Sequence, residues 1–115
     1  MSVPEDAVLL RIFIGEDDKH EGRPLYRAIV ETAREQHLAG ATVLRGPLGF
    51  GHSSRLHTAK IIRLSEDLPL VIEIVDAAAK IEPFVAQLDA MIESGLVTME
   101  KVKVISYGAK AKTDD

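Results

Sequence analysis

Two short runs of branched apolar residues, each followed by a stripe at helical spacing, constrain the fold of this chain more than any other feature. The first run is Ala7 to Ile14 (Ala-Val-Leu-Leu-Arg-Ile-Phe-Ile), stopped by Gly15. It is too short for a typical helix and rich in branched residues, so it predicts a strand. The second is Leu70 to Val75 (Leu-Val-Ile-Glu-Ile-Val), ended by Asp76. After the first run, Pro24 suits the opening turn of a helix. Leu25, Ile29 and Ala33, flanked by Tyr26, Val30 and Leu38, form an apolar stripe, and Gly40 is the expected C-terminal glycine. After the second, Ile81, Phe84, Val85, Leu88, Met91 and Ile92 repeat the pattern until Ser94-Gly95.

Further strands are expected from Thr42 to Leu44, running on past Gly46, and from Thr98 to Tyr107. The segment from Pro47 to about Leu64 reads as a long loop, and Ala109 to Asp115 as a disordered tail. The order is strand, helix, strand, strand, helix, strand. It predicts an α+β, ferredoxin-like domain spanning about residues 7–108, with a four-stranded antiparallel sheet and both helices on one face. Val8, Leu10, Ile12 and Ile14 alternate with Leu9, Arg11 and Phe13; Leu70, Ile72 and Ile74 alternate with Val71, Glu73 and Val75. The face turned away from the helices is therefore mostly apolar, with Arg11 and Glu73 placed to pair across neighbouring strands. Such a face calls for cover, and a homo-oligomer would provide it.

Composition narrows the function classes. Of 115 residues, 46% are apolar and 28% charged, as in ordinary globular domains rather than disordered chains. With no cysteine, disulfides, thiolate metal sites and cysteine nucleophiles are excluded. A cytoplasmic location is expected: no apolar run is long enough to span a bilayer, and the N-terminus is acidic where a signal peptide is basic. The net charge of −4 and an aromatic content of 4% argue against nucleic acid as partner.

The charge is unevenly placed. Between Arg45 and Arg63 there are four basic residues (Arg45, Arg55, Lys60, Arg63) and no acidic one. That segment carries +4, and the rest of the chain −8. His52 and His57 lie in it too. A basic loop on an acidic body attracts an anion such as a phosphate or a nucleotide. Gly46, Gly49 and Gly51 let the backbone approach a ligand, although their spacing matches neither a Walker A loop nor a dinucleotide fingerprint. Turn formation alone would also explain them.

Glu16-Asp17-Asp18 with His20 and Glu21 could hold a hard cation. Solvation and favourable charge before a helix explain the same residues without a metal. His37 is expected at the carbonyls that end the first helix. No acid–base or nucleophile signature is present, so the chain is expected not to be an enzyme, and no cofactor is expected.

Four runs then carry a resemblance: Arg11-Ile12-Phe13-Ile14-Gly15-Glu16-Asp17-Asp18; Gly22-Arg23-Pro24-Leu25-Tyr26; Gly40 to Gly51 (Gly-Ala-Thr-Val-Leu-Arg-Gly-Pro-Leu-Gly-Phe-Gly); and Leu68 to Asp76 (Leu-Pro-Leu-Val-Ile-Glu-Ile-Val-Asp). In this order, from about Leu9 to Tyr107, the chain resembles the family known as domain of unknown function 190, which in turn resembles the PII signalling proteins. The resemblance implies a homotrimer with sheets facing inward. It implies a small anionic effector, with adenine nucleotides as candidates, held in clefts between subunits. It also implies a long signalling T-loop, here about Leu48 to Ser65, which would engage a membrane transporter or channel. One departure stands out. PII proteins carry a glycine-rich phosphate-binding loop before the last strand, whereas Ser94 to Lys101 has one glycine.

The expected site thus comprises Arg45, Gly46, Gly49, Gly51, His52, Arg55, Lys60 and Arg63, with Glu16 and Asp17 ordering a neighbour's loop. Two alternatives stand beside it. One is a constitutive binding module for a transporter, without an effector. The other is a small metal-dependent hydrolase using Asp17, His20 and His52.

Overall fold

A computed structural model describes residues 6–51 and 67–108. Its elements are β1 (Asp6–Gly15), β2 (Lys19–His20), β3 (Arg23–Pro24), α1 (Leu25–Glu35), β4 (Thr42–Arg45), β5 (Pro69–Asp76), α2 (Ala78–Met91) and β6 (Leu96–Lys103). The four long strands form one antiparallel sheet in the order β4-β5-β1-β6. With both helices on one face, this is the ferredoxin-like arrangement.

The period-two pattern settles which side chains go inward. Leu10, Ile12, Ile72 and Ile74 are at most 1% exposed, because they meet Leu25, Ile29 and Ala33 of α1 and Ile81, Phe84 and Leu88 of α2. The register pairs Arg11 directly with Glu73, the two charges expected on the same face of neighbouring strands. Among the described residues, one buried polar side chain serves this core. Asp76 is 1% exposed, and its carboxylate accepts from the Ala39 and Ala77 backbone N–H groups at 2.9 and 2.7 Å. It lies 3.5 Å from Lys80 Nζ as well. It thereby ties the turn before β4 to the start of α2.

Several boundaries differ from expectation. α1 ends at Glu35, well before Gly40. The reversal is made by His37, whose φ of 59° is left-handed. Leu38 N–H donates to Ala33 O at 3.1 Å and His37 N–H to Arg34 O at 3.0 Å, a Schellman closure sealed by the buried Leu38. His37 thus serves the last carbonyls through its backbone. α2 likewise stops at Met91, ahead of Ser94-Gly95.

β4 ends at Arg45 instead of running past Gly46. Its partner β5 begins at Pro69, and Gly46 N–H makes the last bond, to Pro69 O at 2.8 Å. The final strand is Leu96–Lys103, earlier than Thr98 to Tyr107. Lys103 pairs with Asp6, where β1 begins, so β1 offers no ladder to residues 104–107. They cross the sheet's outer face instead, and Tyr107 Oη donates to Ala39 O at 2.5 Å. The polar stretch after β1 adds a small hairpin, β2–β3, turned by Glu21 and Gly22 at φ 51° and 77°. No helix among the described residues is long and apolar enough to cross a membrane. The expected tail from Ala109 lies outside the described residues.

Candidate functional site

At the end of β1, four pieces of chain meet. Gly15 and Asp18 form a closed turn: Gly15 N–H donates to Asp18 Oδ2 at 2.9 Å, and Asp18 N–H to Gly15 O at 3.2 Å. The chain approaching β5 clamps this turn. Glu16 N–H donates to Leu68 O at 2.8 Å, and Asp17 N–H to Asp67 Oδ1 at 3.2 Å. Asp67 itself sits at φ 48°, a left-handed position that Asp tolerates better than most residues. The antiparallel β1–β5 pairing brings these distant segments together.

Between them lies a cavity of about 390 Å³. Its walls are Phe13, Ile14 and Gly15 from β1, Gly49 to Gly51 from the start of the long loop, Pro69 and Leu70 from its return, and Ser94 to Leu96 from the turn before β6. The size is that of a small-molecule site. Two glycines are needed for the close approach of these pieces. A Cβ on Gly95 would stand 2.8 Å from the backbone oxygen of Phe13, and one on Gly15 would stand 2.3 Å from Asp67 Oδ1. Phe50 lines the cavity while remaining 72% exposed.

Two carboxylates border the cavity, Asp18 and Asp67. Burial pushes the Asp18 carboxyl above its ordinary value, and the charges of Asp67 and Asp17 push the same way against the Gly15 hydrogen bond. Arg45 lies at the end of β4 and donates to Glu16 Oε1 at 2.8 Å.

The expected site residues are thus only partly gathered. Gly49 and Gly51 line the cavity, Gly46 closes the β4–β5 ladder beside it, and Arg45 pairs with Glu16 of its own chain. Asp17 contributes its backbone N–H to Asp67. His52, Arg55, Lys60 and Arg63, with His57, lie outside the described residues, as does most of the expected T-loop. The acidic cluster is dispersed: Glu16 faces Arg45, Asp18 holds Gly15, and His20 lies 3.6 Å from Glu21. Among the described residues no group of three or more His, Asp or Glu side chains comes together to hold a metal.

Sequence reasoning missed Phe13, Phe50, Asp67, Pro69 and the 94–96 turn as wall residues. Antiparallel pairing of β1 with β5, already implied by the strand order, would have placed Asp67 and Pro69 beside Gly15. A glycine directly before a strand, as at Gly95, was the signal for the remaining wall.

A second, more open hollow of about 610 Å³ lies on the sheet's outer face. Leu9, Glu73 and Val75 form its floor, with residues 39–42 and 102–107 around it.

Comparison with known proteins accords with this architecture. Residues 7–104 match the DUF190 family, described as an uncharacterised ACR. A UPF0166 protein of Aquifex aeolicus is 41% identical over 97 residues, covering 84% of this chain and 91% of that one. A UPF0166 protein of Methanocaldococcus jannaschii is 35% identical over 92 residues, covering 79% and 84%. Among solved structures, CPII from Thiomonas intermedia K12, bound to ADP and bicarbonate, superposes with a TM-score of 0.57 at 18% identity, covering 86% of this chain and 88% of that one. The fold is therefore that of a PII-like protein, and the chain belongs to the DUF190 (UPF0166) family.

Proposed function

We propose that this protein is a PII-like regulatory subunit. It binds a small anionic effector at the cavity beside Gly15 and signals through the loop that starts at that cavity. The observation that carries the reading is the meeting of both ends of the long loop with the end of β1 and the 94–96 turn around about 390 Å³ of space. A ligand filling it touches both loop stems, so binding is coupled to loop conformation. The similar fold of CPII, a structure bound to ADP and bicarbonate, supports a nucleotide or a small anion as effector.

In this reading the apolar walls and Phe50 receive a ring, while Arg45, Arg55, Lys60 and Arg63, in the same segment as His52, supply positive charge toward the anionic end. Gly49 and Gly51 supply backbone donors, Gly46 fixes the loop stem through its bond to Pro69 O, and Glu16 holds Arg45 in place. The carboxylates of Asp18 and Asp67 keep the anionic end away from the inner wall. The sheet's outer face packs against other copies in a cytoplasmic homotrimer. The loop acts on a partner protein, a membrane transporter or channel being the candidate class. The protein binds its effector without turning it over.

Calorimetry of the full chain against ADP, ATP, AMP and bicarbonate tests the reading. At least one is expected to bind, with affinity falling at least about tenfold in Phe50→Ala or Arg45→Ala. Silence across the panel, or affinities unchanged in both variants, would sink it.

A further inference from the structure

Two carboxylates converge on the wall of the cavity beside Gly15. A Cβ on Gly15 would stand 2.3 Å from Asp67 Oδ1 and 3.3 Å from Asp18 Oδ1, so both oxygens approach the same point. Both residues border the cavity. Backbone donors fix each carboxylate by one oxygen. Gly15 N–H donates to Asp18 Oδ2 at 2.9 Å, and Asp17 N–H to Asp67 Oδ1 at 3.2 Å. A carboxylate accepts several hydrogen bonds, so each of the two retains acceptor capacity beyond the bond that orients it.

The pair also sets the kind of group it receives. Burial is the main cause that raises the Asp18 carboxyl, and the nearby Asp67 charge adds to it. A group that donates hydrogen bonds to both relieves that repulsion, whereas a phosphate or a carboxylate would add to it. The other side chains lining the cavity include Phe13, Phe50, Pro69, Leu70 and Leu96, all apolar. Such walls favour a flat ring over a strongly hydrated ammonium group.

Rings differ in what they offer two carboxylates. Guanine carries two adjacent donors on one edge, N1–H and the N2 amino group. Adenine sets an acceptor, N1, beside its N6 amino donor, and that acceptor would face a carboxylate oxygen. A site built around hydrogen bonds rejects the analogue that cannot make them far more strongly than an apolar pocket rejects a change of size. We infer that the cavity reads the base of its effector through Asp18 and Asp67, and that the preferred effector is a guanine nucleotide. Its N1–H and N2 edge lies against the two carboxylates, and its phosphates point toward the basic segment. The inference rests on the reading of this cavity as the site of an anionic, ring-bearing effector. It names the base, which that reading leaves open.

Calorimetry of the full chain against GDP, IDP, ADP and XDP is the test, with a chelator present so that no divalent cation bridges phosphate to carboxylate. GDP should bind at least about tenfold more tightly than ADP. IDP, which keeps N1–H and lacks the N2 amino group, should bind more weakly than GDP. The carboxylates are then converted singly to amides. Asp18→Asn keeps an oxygen for Gly15 N–H, and Asp67→Asn suits the left-handed φ of 48°. Both variants should bind GDP more weakly than wild type. At least one should gain affinity for XDP, whose carbonyl at C2 accepts from the new amide. A gain for XDP cannot come from loss of the fold. GDP binding no tighter than ADP overturns the base assignment and leaves a nucleotide-binding subunit standing. So does a GDP preference unchanged in both variants, or one lost in both with no gain for XDP. Silence toward every nucleotide overturns the reading of the cavity as an effector site as well.

Discussion

The two faces of the sheet are built from the same strands and behave as opposites. On the helix side Ile12, Ile72, Ile81 and Phe84 are fully buried within one chain. On the outer side Leu9, Phe13, Val71 and Val75 remain half-exposed, and Leu44 is 49% exposed. One ionic cluster, around Arg11, is set among them. Burial of apolar surface stabilises a fold only where something arrives to exclude water. The helix face is covered by α1 and α2, whereas among the described residues only 104–107 cross the outer face. The difference separates residues that hold the subunit together from residues free to serve a second task.

Adjacent residues in β5 put this contrast under the largest strain. Ile72→Ala on the helix face should cost about 2–5 kcal/mol, read as a fall in the denaturation midpoint. Val71→Ala on the outer face should cost less than about 1 kcal/mol in dilute, dissociated chain. Equal losses in dilute chain would erase the distinction between the faces.

A somewhat smaller effect is expected at the margin of the core. Asp76→Ala leaves the Ala39 and Ala77 N–H groups without their acceptor, at a cost of about 2–3 kcal/mol in chemical unfolding. Asp76→Asn keeps an acceptor oxygen and should recover part of it. If both variants match wild type, Asp76 is not what joins the turn before β4 to α2.

The smallest effect sharpens the contrast at the cavity. The Asp18 carboxyl is raised in the fold, so the folded chain holds this proton more tightly than the unfolded one. Its contribution to stability is therefore largest in acid and is lost as pH rises through the folded value. Asp18→Asn retains an oxygen for Gly15 N–H while removing the charge. It should flatten that part of the stability–pH profile and stabilise the chain at neutral pH, as followed by thermal melts across pH. An unchanged profile would mean that burial and the Asp67 charge do not govern this carboxyl.

Much of this was legible in the sequence, because period-two and period-3.6 patterns report directly on which side chains must leave water. Strand order and helix faces followed from those patterns, and the ferredoxin-like arrangement they imply put Arg11 and Glu73 within reach of each other. Helix ends were less legible. His37 takes the left-handed position that Gly40 was expected to fill, because the Schellman closure is set by where Leu38 can bury. The last strand was misread for a related reason, since a strand ends where its partner does.

The candidate site divides the same way. The sequence by itself determined the fold class, the two-sided sheet, the concentration of positive charge from Arg45 to Arg63 and the glycines that begin the loop. Those properties are local or additive, so reading residues in order recovers them. Only the tertiary structure decided that Phe13, Phe50, Asp67, Pro69 and Gly95 share one cavity, that Arg45 faces Glu16, and that Glu100 joins Arg11 and Glu73. Those groupings depend on antiparallel register between segments as many as 89 residues apart, a quantity that no single segment encodes.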